Sequence, residues 1–137
     1  MKVISRDFTP NFKPSQILCL EHKDTCLYAE VIQVLETRKM CWVRPLILKV
    51  FSSESDGKSN QEISEKPTLW DLREGADLVW PICLFREAID TEVIPLLAEL
   101  ELLDGKQKNQ QNSHQQLRHF VKIVWEAYPD VFPLVQN

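Results

Sequence analysis

One stripe near the end of the chain constrains the fold more than any other feature. Leu117, Phe120, Val121, Val124, Trp125 and Tyr128 recur at spacings of 3, 1, 3, 1 and 3. That is one face of an α-helix. An isolated amphipathic helix of this length is marginal in water and gains its stability by docking its apolar face on another element. Ser113 and Gln116 fit a capping box that opens it, and Pro129 closes it. The helix therefore needs a surface built elsewhere in the chain.

Residues 17–51 supply one, because they read as strands. Ile17-Leu18-Cys19-Leu20 is a short apolar run, and Glu21–Thr25 is a polar turn that holds His22. Leu27–Leu35 is rich in β-branched residues, and Glu36-Thr37-Arg38-Lys39 is short enough for a hairpin loop. In Met40–Phe51 strict alternation puts Met40, Trp42, Arg44, Leu46 and Leu48 on one face and Cys41, Val43, Pro45 and Ile47 on the other. Pro45 donates nothing to a ladder and marks an edge, a bulge or a bend. Thr68–Leu72 and Leu78–Trp80 read as two further strands, with Gly75 free to take a positive φ in the turn between them. A first helix is expected over about Thr91–Leu103, with Val93, Leu96, Leu97, Leu100 and Leu103 as its stripe. Pro95 fits only a first turn, so the regular part should begin near Ile94.

Strands followed by two helices make an α+β chain, either a small antiparallel β-sheet or an SH3-like barrel, with the two C-terminal helices on one face. Its 137 residues fit a single domain. Within it, residues 1–16 form an extended arm pinned by Phe8 and Phe12, 52–66 a flexible polar loop, and 106–113 a polar linker.

The same totals narrow the function. With 44% hydrophobic and 26% charged residues the chain can build a core, and its net charge of −4 gives no broad attraction to phosphates or anionic lipids. No apolar run approaches a membrane span, and no leader pattern follows Met1, so a cytoplasmic protein is expected. Cys19, Cys26, Cys41 and Cys83 form no CxxC pair, so they read as reduced, mostly buried thiols, with no metal and no disulfide framework. His114 and His119 stand five apart on the last helix, the wrong interval for a helical metal pair. There is no glycine-rich phosphate loop and no local nucleophile signature. The expectation is therefore no catalytic residue, no cofactor and no enzyme.

The sharper features combine aromatics with arginines: Trp42-Val43-Arg44, Trp70-Asp71-Leu72-Arg73, and Trp80 through Phe85-Arg86. Trp and Arg dominate binding hot spots. Trp80 and Trp125 read as core, whereas Trp42, Arg44, Trp70 and Arg73 form the candidate protein-binding surface. Intramolecular pairing with Asp71, Asp77, Glu87 or Asp90 is the plainer use for these arginines. The leading function is a non-enzymatic assembly factor or adaptor that engages an extended peptide of a partner protein. Its rival is a nucleic-acid-binding small β-barrel, which the acidic balance disfavours. The sequence leaves the oligomeric state open, a homodimer included.

Four stretches carry a resemblance: Leu27–Val34, Cys41–Leu46, Asp77–Pro81, and Leu84–Arg86 with Asp90–Leu97. They resemble a group of small cyanobacterial proteins with plastid relatives that includes the carboxysome-shell assembly chaperone. The likeness covers roughly residues 17–103 and omits the polar 52–66 segment. It implies a chaperone whose client is the flexible tail of a carboxysome shell protein, and it transfers no binding residues.

Overall fold

Strand β1 (Ile17–His22) turns into β2 (Thr25–Leu35) through Lys23 and Asp24, with Lys23 in the left-handed region at φ 57°. A 3-10 turn over Glu36–Arg38 and a left-handed Lys39 then lead into β3 (Met40–Val50). The computed structural model that shows this describes residues 11–51, 67–103 and 110–132. The 52–66 loop, the first ten residues of the arm including Phe8, and the 106–109 part of the linker lie outside the described residues. Phe12, which lies inside them, is buried in the main core as expected.

Two short strands share one edge of β3. β5 (Leu78–Pro81) pairs with Met40–Val43, and β4 (Thr68–Asp71) pairs with Ile47–Val50. On the far side, β6 (Arg86–Glu87) pairs with Leu18 and Cys19 of β1. All pairings are antiparallel, in the order β4-β3-β2-β1-β6 with β5 beside β3. Among the described residues β6 meets neither β4 nor β5, so the described strands form an open sheet and not a closed barrel.

Pro45 sits at the break between β5 and β4, where β3 changes its edge partner and a missing N–H does least harm. There the register slips: Ala29 faces Pro45 but Tyr28 faces Ile47, leaving Leu46 as a bulge residue. The extra residue reverses the alternation read from sequence. Cys41, Val43 and Leu48 enter one core cluster, while Leu46 and Ile47 enter the other.

Those clusters lie on opposite faces of the sheet, and each receives one helix. α2 (Gln110–Ala127) inserts Leu117, Phe120 and Val124 among Leu18, Leu20, Leu27, Ala29 and Val31. α1 (Asp90–Leu103) inserts Leu96 and Leu100 among Cys19, Cys26, Tyr28 and Ile47. The expectation of both helices on one face is corrected: period-two strands with both sides apolar, such as β1 and β2, need cover on each side.

Both helix starts also differ from expectation. α2 begins at Gln110, so Ser113 is a buried interior residue and not a cap. α1 runs through Pro95 from Asp90. Its first turn is held by a reversed half of a capping box, in which the Ile89 N–H donates to the Glu92 carboxylate at 3.0 Å. Pro95 falls in the second turn on an exposed face, where water can reach the Thr91 carbonyl that proline leaves without its usual donor. Gly75 does not use a positive φ. A Cβ there would stand 3.1 Å from His114 Nε2, so glycine lets α2 approach the β4–β5 turn.

Trp80 is buried, as expected, but Trp125 is 51% exposed. At about 100° per residue it lies at the flank of the Leu117–Phe120–Val124 line, where it stacks on Phe132 at 4.9 Å. Tyr128 falls just past the helix end and meets His22 edge-on. His22 itself closes β1 and is half-buried instead of sitting in a turn.

Candidate functional site

Strand pairing brings one exposed row together on the α1 face. Trp42 lies between Gln33 on β2 and Val79 on β5, and Arg44 lies opposite Glu30. Their neighbours Cys41 and Val43 point into the main core, so Trp42 and Arg44 point away from it. The Pro45 bulge separates this row from the part of the face that α1 covers. The row stays open: Arg44 and Gln33 are exposed, Trp42 is half-buried, and Val79 is 46% exposed.

Asp77 organises it. The Trp42 indole N–H donates to Asp77 Oδ2 at 3.0 Å, and Arg44 Nε lies 3.7 Å from Asp77 Oδ1. One carboxylate thus orients both side chains without burying either. The position of Asp77 just before β5 makes this possible, because Leu78 pairs with Val43 and Val79 with Trp42. The intramolecular pairing weighed from sequence is real for Arg44, but at this exposure it is weak and exchangeable.

The other half of the expected surface is elsewhere. Arg73 grips Asp71 with two hydrogen bonds, of 2.9 and 2.8 Å, and also donates to the Leu100 carbonyl at 3.2 Å. Burial pushes the Asp71 carboxyl up, but the hydrogen bonds from Arg73 outweigh it and hold that carboxyl below its ordinary value. The guanidinium therefore ties α1 to the end of β4. Trp70 packs against the main core on the α2 face. Trp42 and Arg44 are together, whereas Trp70 and Arg73 stand apart from them and from each other.

Arg86 has a similar tethering role. It donates to Glu92 at 2.8 Å and to Glu21 at 3.2 Å, and the Tyr28 hydroxyl donates to Glu92 at 3.3 Å. The Arg86 hydrogen bond holds the Glu92 carboxyl down at about 2. Neither Glu21 nor Glu92 is among the carboxylates that the sequence offers these arginines, because the β1–β6 pairing and the α1 start that bring them to Arg86 leave no signal in local spacing. Val79 carries no sequence signal as a site residue, and Asp77 is legible only as an arginine partner: the β3–β5 register is what places both beside Trp42.

A second concavity lies on the α2 side. Ala76, Leu78, His114, Leu117, Arg118 and Val121 line an apolar cleft of about 380 Å³. No described helix is long and apolar enough to cross a membrane. Comparison of the chain with protein-family models, with curated proteins and with solved structures returned no match.

Proposed function

We propose that the chain is a non-enzymatic assembly factor or adaptor that binds an extended peptide of a partner protein along β5 and the Trp42 row. The observation that carries this reading is the union of an edge strand with an exposed aromatic row. Among the described residues, β5 pairs only with β3, so its outer edge offers main-chain groups to an added strand. Val79 and Trp42 offer apolar contact beside that edge, and Arg44 offers a guanidinium that suits an acidic side chain or a terminal carboxylate. A partner carboxylate would displace Asp77 from Arg44, an exchange with little net cost at an exposed pair.

The resemblance found in the sequence names the client class to test first, the tail of a carboxysome shell protein. Nucleic acid is the weaker reading, because Arg44, Arg73 and Arg86 are each engaged by carboxylates. Calorimetry with a synthetic shell-protein tail should show binding that falls at least tenfold in Arg44→Glu and in Val79→Asp while both variants stay folded. Affinity unchanged in both would remove this surface from the proposal. Binding that depends steeply on salt and requires nucleic acid would replace it with the rival reading.

A further inference from the structure

On the covered half of the α1 face, three ligand-type side chains converge. Cys19 and Glu21 stand two apart on β1 and so share a face, and Glu21 pairs directly with Cys26 on β2. The two-residue turn at Lys23-Asp24 fixes that register. One donor atom from each of Cys19, Glu21 and Cys26 lies within 4.8 Å of the others. Cys26 Sγ and Glu21 Oε2 are 3.8 Å apart, near the roughly 3.6 Å edge between a sulfur and an oxygen ligand of a tetrahedron with metal–sulfur bonds near 2.3 Å and metal–oxygen bonds near 2.1 Å.

We propose that Cys19, Cys26 and Glu21 form a binding site for a soft or borderline divalent cation of the zinc class. Two sulfurs set that preference, since thiolates select zinc-like ions over magnesium or calcium. Water fills the fourth position. On binding, each thiol that is still protonated releases its proton to solvent, and each sulfur donates a lone pair to the ion.

Charge is partly compensated as well. Two thiolates and one carboxylate exceed the divalent ion by one negative charge, which Arg86, shared between Glu21 at 3.2 Å and Glu92 at 2.8 Å, partly offsets. Both cysteines are buried while Glu21 is exposed, so the ion enters from the Glu21 side and the sulfurs stay shielded by Leu96 and Leu100 of α1. The lack of a CxxC spacing hid this cluster, because its ligands meet across a hairpin and not along one segment.

The test is a cobalt(II) titration of the full chain, kept reduced by a phosphine that does not chelate, followed by displacement with zinc. The expected result is one cobalt per chain, with a thiolate-to-cobalt charge-transfer band and visible bands of tetrahedral intensity. Cys26→Ser and Cys19→Ser should each weaken zinc binding by more than the roughly 10–100-fold that losing an outer-shell partner costs. Cys41→Ser and Cys83→Ser should leave it unchanged. A second measurement keeps the unsubstituted chain: zinc should protect Cys19 and Cys26, but not the exposed Cys83, from alkylation mapped by mass spectrometry. No charge-transfer band in the folded protein, a band that depends on Cys83, or alkylation of Cys26 unaffected by zinc would each overturn the proposal.

Discussion

The two faces of the sheet are built differently. The α2 face is a continuous apolar core, in which Leu117, Phe120 and Val124 meet leucines, valines and Trp80. The α1 face holds a smaller cluster around two helix leucines, and polar bonds secure the rest of the helix: Arg73 to the Leu100 carbonyl, and Arg86 to Glu92. Ile94, Leu97 and Leu102 on α1 remain exposed. Apolar burial is the larger and less conditional source of stability, while exposed ion pairs add little each and weaken with salt and acid. The contrast places most of the buried apolar surface on one face and leaves the other face more open.

The largest effects should therefore fall on α2. Phe120→Ala removes a buried ring from the main core and should cost roughly 3–5 kcal/mol, read as a shift of the urea midpoint. Leu100→Ala on α1 should cost about 2 kcal/mol, the low end for a buried leucine, because its cluster is small and closer to solvent. Equal losses at the two positions would end the distinction between the faces.

Trp125→Ala sharpens the same comparison within α2. Its ring is half-exposed and stacked on Phe132, so about 1 kcal/mol is expected, the scale of an aromatic pair and not of a buried tryptophan. A loss as large as that of Phe120→Ala would show that the flank of the helix is core after all.

Acid should loosen α1 before α2. The folded Glu92 carboxyl is held at about 2, below its ordinary 4.5. A depressed carboxyl contributes stability above its unfolded value, and that contribution disappears as pH falls from about 5 toward 2. Arg86 is 43% exposed, so screening reduces the contribution to about 1 kcal/mol. Thermal melts of the parent and Glu92→Gln should differ at pH 7 and converge near pH 2. A constant gap across that range would remove Arg86–Glu92 as the tether of α1.

The strands and helices were legible in the sequence because period and propensity act locally. The β-branched run of β2, the alternation in the first half of β3 and the stripe of α2 all report on neighbours within a few residues. Their assembly was less legible. One bulge at Leu46 reversed the faces of β3, and nothing in the local pattern announces a bulge beyond the presence of Pro45. Of the expected site, Trp42 and Arg44 adjoin because they share a strand. Trp70 and Arg73 straddle the end of β4, where strand geometry ceases to govern direction. The Cys19–Glu21–Cys26 cluster needed the hairpin register, which a sequence without a diagnostic turn does not fix.

The smallest effect on stability is expected at Arg44, and it tests the comparison most directly. Arg44 is exposed, and among the described residues its ion pair is the 3.7 Å contact with Asp77. Replacing it by glutamine removes the charge but keeps a polar side chain of useful length, so the Trp42 bond to Asp77 can persist. Folding stability should stay within about 0.5 kcal/mol, as for a surface position without a packing role. Partner affinity should fall, because a neutral amide cannot give a carboxylate the charge-assisted fork of a guanidinium. The two measurements must be made on the same preparation, by denaturant titration and by calorimetry with the peptide. Stability and affinity falling together would mean that the open row is part of the scaffold. Affinity falling alone would leave the row as the working surface of the less stable face.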